Sequence, residues 1–160
     1  MSRRLARETA LKILFQVDVG RIPVEEAIAN TLATVDEGPE ISGFASELAR
    51  GAAGRLAEID RLLSVFAVDW PVERMANIDR NILRLAVYEL LLVPDVPASV
   101  TVNEAVELAK RYGDADSAKF VNGILGNLVR QLSGRRRGRR EGSSAPGESP
   151  PAGPGDGTGR

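Results

Sequence analysis

The amino-acid sequence predicts an all-α protein of about seven helices, and three observations carry that prediction. Apolar residues recur at helical spacing through most of residues 2–132. No stretch alternates between apolar and polar residues for long enough to indicate a strand. The last segment, 135–160, has seven Gly and four Pro but no Leu, Ile, Val or aromatic residue. Such a segment cannot bury enough apolar surface to offset its chain entropy, so we predict an ordered domain over 1–133 and a disordered tail over 134–160.

The first two helices have clear boundary signals. We predict the first over 2–19, with Ser2 as the N-cap and Gly20 at its end. The second is predicted over 23–35, because Pro23 is well suited to the first turn of a helix.

A long third helix is predicted over 42–67, where one apolar stripe continues without a break. Gly51 and Gly54 lie inside it. They weaken a helix, but they also allow another helix to approach closely. A short helical turn follows over 69–76.

The last three helices are predicted in the second half of the chain. Asn77 is expected to cap a strongly apolar helix over 78–93. Thr101 and Glu104 have the spacing of a capping box, which predicts a helix from there to residue 112. A final helix is predicted from about residue 116.

The chain has no cysteine and no histidine. Disulfides, Cys/His zinc sites, Ser-His-Asp triads and imidazole acid–base catalysis are therefore excluded. Glu104 and Glu107 are three residues apart, but without a His ligand they do not make a di-iron site. Glu107 and Arg111 have the spacing of a surface ion pair. These patterns argue against an enzyme, and we expect no bound metal or cofactor. A small carboxylate-based enzyme remains a remote alternative.

The formal net charge of -1 hides an uneven distribution. Residues 1–134 carry a net charge of -4 and residues 135–160 carry +3. No stretch approaches the length of a membrane span, and the amino terminus has no apolar signal-peptide region. A cytoplasmic protein without membrane contact is therefore expected.

Three arginines near the amino terminus, Arg3, Arg4 and Arg7, span an arc of about 100° on the first helix. Cations oppose the helix dipole at this end, so an anionic partner would offset their cost. Phe15 continues the stripe of Arg4, and an aromatic ring beside guanidinium groups is a pattern of single-stranded RNA recognition. Alternatively, Arg4 pairs with Glu8 and Phe15 belongs to the core.

A second cluster precedes the last helix, where Asp114, Asp116 and Lys119 lead to Phe120. The amino end of a helix binds anions readily, and the Phe120 ring could stack on a base. Alternatively, Asp116 or Ser117 only caps the helix and Phe120 is core.

Five stretches of the sequence together resemble the bacterial transcription antitermination factor NusB family. They are RRLARE (3–8), LFQ (14–16), ILRLAVYEL (82–90), NEAVELAK (103–110) and KFVNGIL (119–125). The resemblance covers residues 3–130 and implies an all-α fold of two packed helical subdomains. It also implies binding of boxA-type RNA in ribosomal RNA transcripts.

Site residues follow from the same resemblance. It implies RNA contacts by Arg3, Arg4, Arg7, Phe15, Gln16, Asp116, Lys119 and Phe120. It places Asp79 and Glu89 on the helix that faces a partner, the ribosomal protein NusE. Other Nus factors and RNA polymerase are further implied partners. A helical scaffold that binds only proteins remains an alternative, and the same fold also occurs as an amino-terminal domain of RNA cytosine methyltransferases.

Overall fold

The computed structural model describes residues 3–143, and all of the regular structure within them is helical. Seven α-helices follow one another in the order α1 (Arg3–Val19), α2 (Val24–Ala33), α3 (Pro39–Ala53), α4 (Leu56–Phe66), α5 (Asn77–Leu92), α6 (Ala98–Tyr112) and α7 (Ser117–Ser143). A short 3-10 helix, Val72–Arg74, precedes α5. The predicted all-α class and helix number are confirmed.

Two compact units divide the chain, Met1–Leu128 and Val129–Arg160. In the first unit α1, α2 and α3 contact one another, and α5 contacts both α4 and α6. The two groups meet where α5 contacts α1 and α3. This arrangement agrees with the implied pair of packed helical subdomains. In the second unit, the described residues continue α7 to Ser143.

Helix α5 forms the centre of the core. The aliphatic side chains in its middle are almost completely buried, among them Ile82, Leu83, Leu85 and Val87. Burial on several sides explains the nearly continuous apolar sequence of this helix, because removal of apolar surface from water is the main favourable term in folding. Gly51 of α3 lies against Tyr88, where a Cβ atom would overlap the ring. The predicted close helix approach is therefore confirmed at Gly51.

Buried polar groups also hold α1 and α4 against α5. The Asp18 carboxylate accepts hydrogen bonds from Arg80 at 2.6 Å and Asn81 at 2.9 Å. Arg84 donates two hydrogen bonds to Asp60, at 2.8 and 2.7 Å. Burial alone would raise the pKa of Asp18, but the hydrogen bonds from Arg80 and Asn81 and the nearby positive charges lower it overall.

The predicted long helix over 42–67 is wrong, because the chain bends between α3 and α4. Gly54 ends α3, and Arg55 adopts a non-helical conformation with φ -128 and ψ 25. The bend turns Ile59 and Leu63 of α4 into the core, where α4 contacts α5. The apolar spacing is helical on both sides of the bend, so periodicity alone does not reveal it.

Two predicted helix caps are also wrong. Ala76, not Asn77, precedes α5, and the Asn77 side chain accepts a hydrogen bond from Arg80 instead. Helix α6 begins at Ala98 after Pro97, so Thr101 and Glu104 lie within the helix and make no capping box. Proline starts this helix because its fixed φ suits the helix entrance.

Parts of both termini lie outside the described residues. The predicted N-cap Ser2 lies outside them. Helix α7 extends to Ser143, ten residues into the range predicted as tail, and the rest of that range, 144–160, is not described. Within residues 3–143, no helix is both long enough and apolar enough to cross a membrane.

Candidate nucleic-acid interface

Among the amino-terminal arginines, Arg7 is buried and lies against Glu89. Arg7 is 3% exposed and Glu89 is 2% exposed. Its guanidinium donates to both carboxylate oxygens of Glu89, at 2.8 to 2.9 Å. This pair joins α1 to α5. Neither side chain is available for the contact predicted from the sequence, so Arg7 is corrected from an RNA contact, and Glu89 from a partner contact, to a structural role.

Arg4 lies at the surface on the neighbouring face of α1. Its guanidinium forms a two-bond contact with Glu104 of α6, at 2.9 and 3.0 Å. The hydrogen bonds and the positive charge of Arg4 lower the pKa of Glu104 despite partial burial. The alternative pairing of Arg4 with Glu8 is not the one observed.

Arg3 points to a different part of the surface. Its guanidinium lies 5.0 Å from the centre of the Phe44 ring and 3.6 Å from the carboxylate of Asp95. The three arginines that the sequence groups together thus have three separate environments. Arg3 and Arg4 remain predicted phosphate contacts, because both are accessible.

Arg111 is a surface cation whose position the sequence did not reveal. Its guanidinium donates to Glu8 at 2.7 Å and lies 5.6 Å from the centre of the Tyr112 ring. The side chain is 64% exposed, whereas that of Glu8 is 8% exposed. The predicted pair of Glu107 with Arg111 is wrong, since Glu107 pairs with Lys110 at 3.4 Å. A contact across 103 residues of sequence leaves no local spacing signal.

Phe15 and Phe120 line two adjoining depressions in the surface, which share Asp79 and Asp114 and which we together call the aromatic groove. One part, of about 430 Å³, is lined by residues that include Phe15, Tyr112 and Asp79. The adjoining part, of about 280 Å³, also contains Asp79 and ends at Phe120 and Trp70. Both phenylalanine rings are half-buried, so neither is a closed core residue. The structure therefore brings together two rings that lie 105 residues apart.

The amino-terminal arginines do not line this groove, but one of them lies on the surface leading to it. Arg4, Glu8 and Arg111 line a cavity of about 230 Å³ between α1 and α6. Arg111 connects that cavity to the groove, because its guanidinium lies over the Tyr112 ring. Arg4 is about 16 Å from Phe15 along α1, from the rise of the helix. A strand of several nucleotides could span both regions.

Asp79 lies in the floor of the aromatic groove at the start of α5. Asp79 is only 7% exposed, and its Oδ1 atom has no hydrogen-bond partner within the described structure. Burial raises the pKa of Asp79, and the charge of Asp114 adds to the increase. A buried acceptor without a partner is suited to a donor supplied by a bound molecule.

Asp116, directly before α7, and Lys119, in its first turn, are both exposed. The backbone N–H of Asp116 donates to Asp114 Oδ1 at 2.9 Å, and the Ser117 hydroxyl donates to the same oxygen at 3.2 Å. Asp114 therefore accepts the hydrogen bonds that organise this turn. The side chains of Asp116 and Lys119 remain directed to the surface beside Phe120, where they stay predicted RNA contacts.

Gln16 lies on the other side of Phe15, at a cavity of about 450 Å³ between α1 and α2. Its side-chain amide donates to the Thr31 hydroxyl at 2.7 Å and to the Lys12 carbonyl at 3.4 Å. Gln16 is thus held in place at the cavity wall. No group of three or more carboxylates in residues 3–143 has a geometry that could hold a metal ion.

Comparison with known sequences places these residues in a family. The model of the NusB family matches residues 4–130. The transcription antitermination protein NusB of Desulforudis audaxviator is 47% identical over 131 residues, which cover 82% of this chain and 95% of that protein.

Comparison with solved structures gives the same result. The structure of T. maritima NusB has a TM-score of 0.75 and 40% identity, and the match covers 81% of this chain and 92% of that one. A crystal structure of the antitermination factors NusB and NusE in complex with double-stranded RNA contains a chain with a TM-score of 0.75 and 26% identity. That match covers 81% of this chain and 96% of the other.

Proposed function

The chain belongs to the NusB family, and we propose that it binds boxA-type RNA in ribosomal RNA transcripts together with the ribosomal protein NusE. In this role it is a transcription antitermination factor that prevents premature termination by RNA polymerase in the cytoplasm. It acts by binding, without a catalytic step. The known complex of NusB, NusE and RNA, which contains a chain of similar fold, supports both partners.

The aromatic groove is the observation that carries the proposal. Phe15, Tyr112 and Phe120 offer ring faces along this groove, and each ring can stack on an unpaired base. Stacking on an aromatic ring contributes about 1–3 kcal/mol per base in single-stranded RNA binding. The three rings therefore provide stacking contacts for a short single strand without base pairing.

The cations around the groove supply the phosphate contacts. Arg4 and Arg111 lie at the surface beyond Tyr112, and Lys119 lies in the turn before Phe120. Each of the two arginines is already paired with a glutamate, so a phosphate must compete with a carboxylate for it. The ordered part also has a net charge of -4. Strong sequence-independent RNA binding is therefore not expected from this chain alone.

The negative charge of the ordered part instead favours a basic protein partner. Asp79 in the floor of the aromatic groove has an acceptor oxygen without a partner in the described structure, and a side chain that such a partner extends into the groove could donate to it. We propose that NusE binds beside the aromatic groove and adds cations that the RNA then shares. Other Nus factors and RNA polymerase would join this assembly on the transcript.

A mobility-shift titration tests the proposal. The RNA is a boxA-type oligonucleotide or a scrambled oligonucleotide of the same composition, each with and without NusE. We expect weak binding by the chain alone, and tight binding of the boxA-type RNA when NusE is present. Binding of NusE with no shift of either oligonucleotide would instead support a scaffold that binds only proteins. Equal affinity for both oligonucleotides with NusE would contradict recognition of the boxA-type sequence.

A further inference from the structure

The cavity of about 450 Å³ between α1 and α2 is open at the surface next to the aromatic groove. Phe15, Ile78 and Tyr112 belong to the lining of both. The cavity is therefore continuous with the path proposed for the RNA. Its volume lies within the range of about 300–1,000 Å³ that is typical of small-ligand pockets.

The walls of the cavity combine two kinds of group. Rings and aliphatic side chains from α1, α5 and α6 form an apolar part, which includes Phe15 and Tyr112. Asn30 of α2 and Thr34, the residue after α2, form a polar part, and both are exposed. The Thr34 hydroxyl donates to the Thr31 carbonyl at 2.9 Å, so its oxygen remains as an acceptor. The Asn30 amide can donate and accept hydrogen bonds, whereas the Thr34 hydroxyl can only accept one. The edge of a nucleobase has matching donors and acceptors around a flat apolar ring.

We propose that this cavity holds one unpaired nucleobase of the bound RNA, inserted past Phe15 and Tyr112 while its neighbours stack in the aromatic groove. The inference rests on the proposed function and assigns one further subsite to it. Lys12 lines the same cavity and is exposed, so its ammonium is accessible to the phosphate of the inserted nucleotide. Asn30 and Thr34 then read the base edge, which gives a sequence preference at that position.

Partial filling of the cavity tests this subsite. Thr34→Trp places a bulky ring in the cavity without altering Phe15 or Tyr112. Ala33→Trp is the matched control, since Ala33 is exposed at the end of α2 and does not line the cavity. Each variant is titrated, together with NusE, with a series of boxA-type oligonucleotides that each lack one base.

We expect the loss of RNA affinity in Thr34→Trp to be coupled to one base position of the oligonucleotide. In the unaltered chain, removal of the inserted base weakens binding about tenfold, since a stacked base contributes roughly this much. In Thr34→Trp the intact RNA binds about tenfold more weakly, and removal of that one base has no further effect. Ala33→Trp behaves like the unaltered chain.

Three outcomes would overturn the inference. Additive losses at every position in Thr34→Trp show that no base occupies the cavity. Weaker binding of NusE by Thr34→Trp in the absence of RNA shows that the cavity receives a protein side chain instead. A failure of the unaltered chain and NusE to bind any of the oligonucleotides would overturn the proposed function as well, which distinguishes the two failures.

Discussion

Two arginines of α1, Arg4 and Arg7, lie three residues apart and have opposite surroundings. Arg7 is enclosed with Glu89 between α1 and α5, whereas Arg4 pairs with Glu104 at the surface. The same side chain in the same helix therefore contributes to stability in one position and is accessible to a ligand in the other. The difference arises because Arg7 faces the buried Glu89 of α5, whereas Arg4 faces Glu104 at the surface of α6.

The largest effect is expected from Arg7→Ala. Removal of one member of a buried ion pair leaves the other charge without a partner, which destabilises a protein by about 3–5 kcal/mol. Thermal or denaturant unfolding should show this loss. A decrease below about 1 kcal/mol would mean that Glu89 finds water or another cation.

A double variant gives the control for that experiment. Arg7→Met with Glu89→Leu removes both charges and keeps the volume apolar, and such replacements are often neutral or stabilising. We expect this variant to recover most of the stability. If it is as unstable as Arg7→Ala, the contribution of the pair comes from its packing and not from the buried charge.

Substitution of the exposed arginines should affect RNA binding more than stability. Arg4→Gln and Arg111→Gln are expected to change stability by less than about 1 kcal/mol, because surface pairs contribute little. Each should weaken RNA binding in the presence of NusE severalfold and flatten the log–log salt dependence by roughly 0.7 per lost phosphate contact. An unchanged salt slope in both variants would exclude them as phosphate contacts.

Glu104→Gln sharpens that test, because it frees Arg4 without removing it. Loss of the competing carboxylate should strengthen RNA binding severalfold at low salt. The same variant should lose this advantage when combined with Arg4→Gln.

A smaller effect is expected from Asp79→Asn. Burial raises the pKa of Asp79 above its ordinary value of 3.8, so the folded chain disfavours the ionised form. This cost is absent below about pH 3.8 and increases as the pH rises through the pKa of the folded state. At pH 7 the variant should be more stable by about 1 kcal/mol, since an unpartnered buried charge is removed. Unfolding titrations should find almost no gain at pH 3.5.

Asp18→Asn is expected to change the stability at pH 7 in the opposite direction in the same unfolding titrations. Although burial opposes it, hydrogen bonds from Arg80 and Asn81 bring the pKa of Asp18 below its ordinary value of 3.8. Its stabilisation is therefore present above pH 3.8 and is lost as the pH falls through the pKa of the folded state. The variant should be less stable at pH 7 and lose this difference in acid. A gain for Asp79→Asn that is equal at both pH values would contradict the assigned cause.

The sequence predicted those features of the fold that depend on local pattern. Helical spacing located the helices, and Gly51 correctly indicated a close approach between helices. The bend at Gly54 and the start of α6 at Ala98 were missed. Both depend on how helices pack in three dimensions, and packing overrides local capping and periodicity signals.

For the candidate site, too, some features could be predicted from the sequence and others depend on tertiary contacts. Residue types left Phe15 and Phe120 as either core or RNA-contacting rings, and the family resemblance implied the RNA contact; both rings are half-buried in adjoining depressions. The burial of Arg7 with Glu89 could not be predicted, because the partner lies 82 residues away. The exposed position of Arg111 over Tyr112 likewise depends on tertiary contacts, since its carboxylate partner is in α1.

The most direct test of the central claim, that the aromatic groove binds RNA, is the affinity of Phe120→Ala with NusE for a boxA-type oligonucleotide. Phe66→Ala, which removes a half-buried ring of α4, is the matched control. Loss of one stacked base should weaken binding by Phe120→Ala roughly ten- to a hundredfold, whereas Phe66→Ala should bind like the unaltered chain. Unchanged affinity of Phe120→Ala for the RNA would contradict the claim.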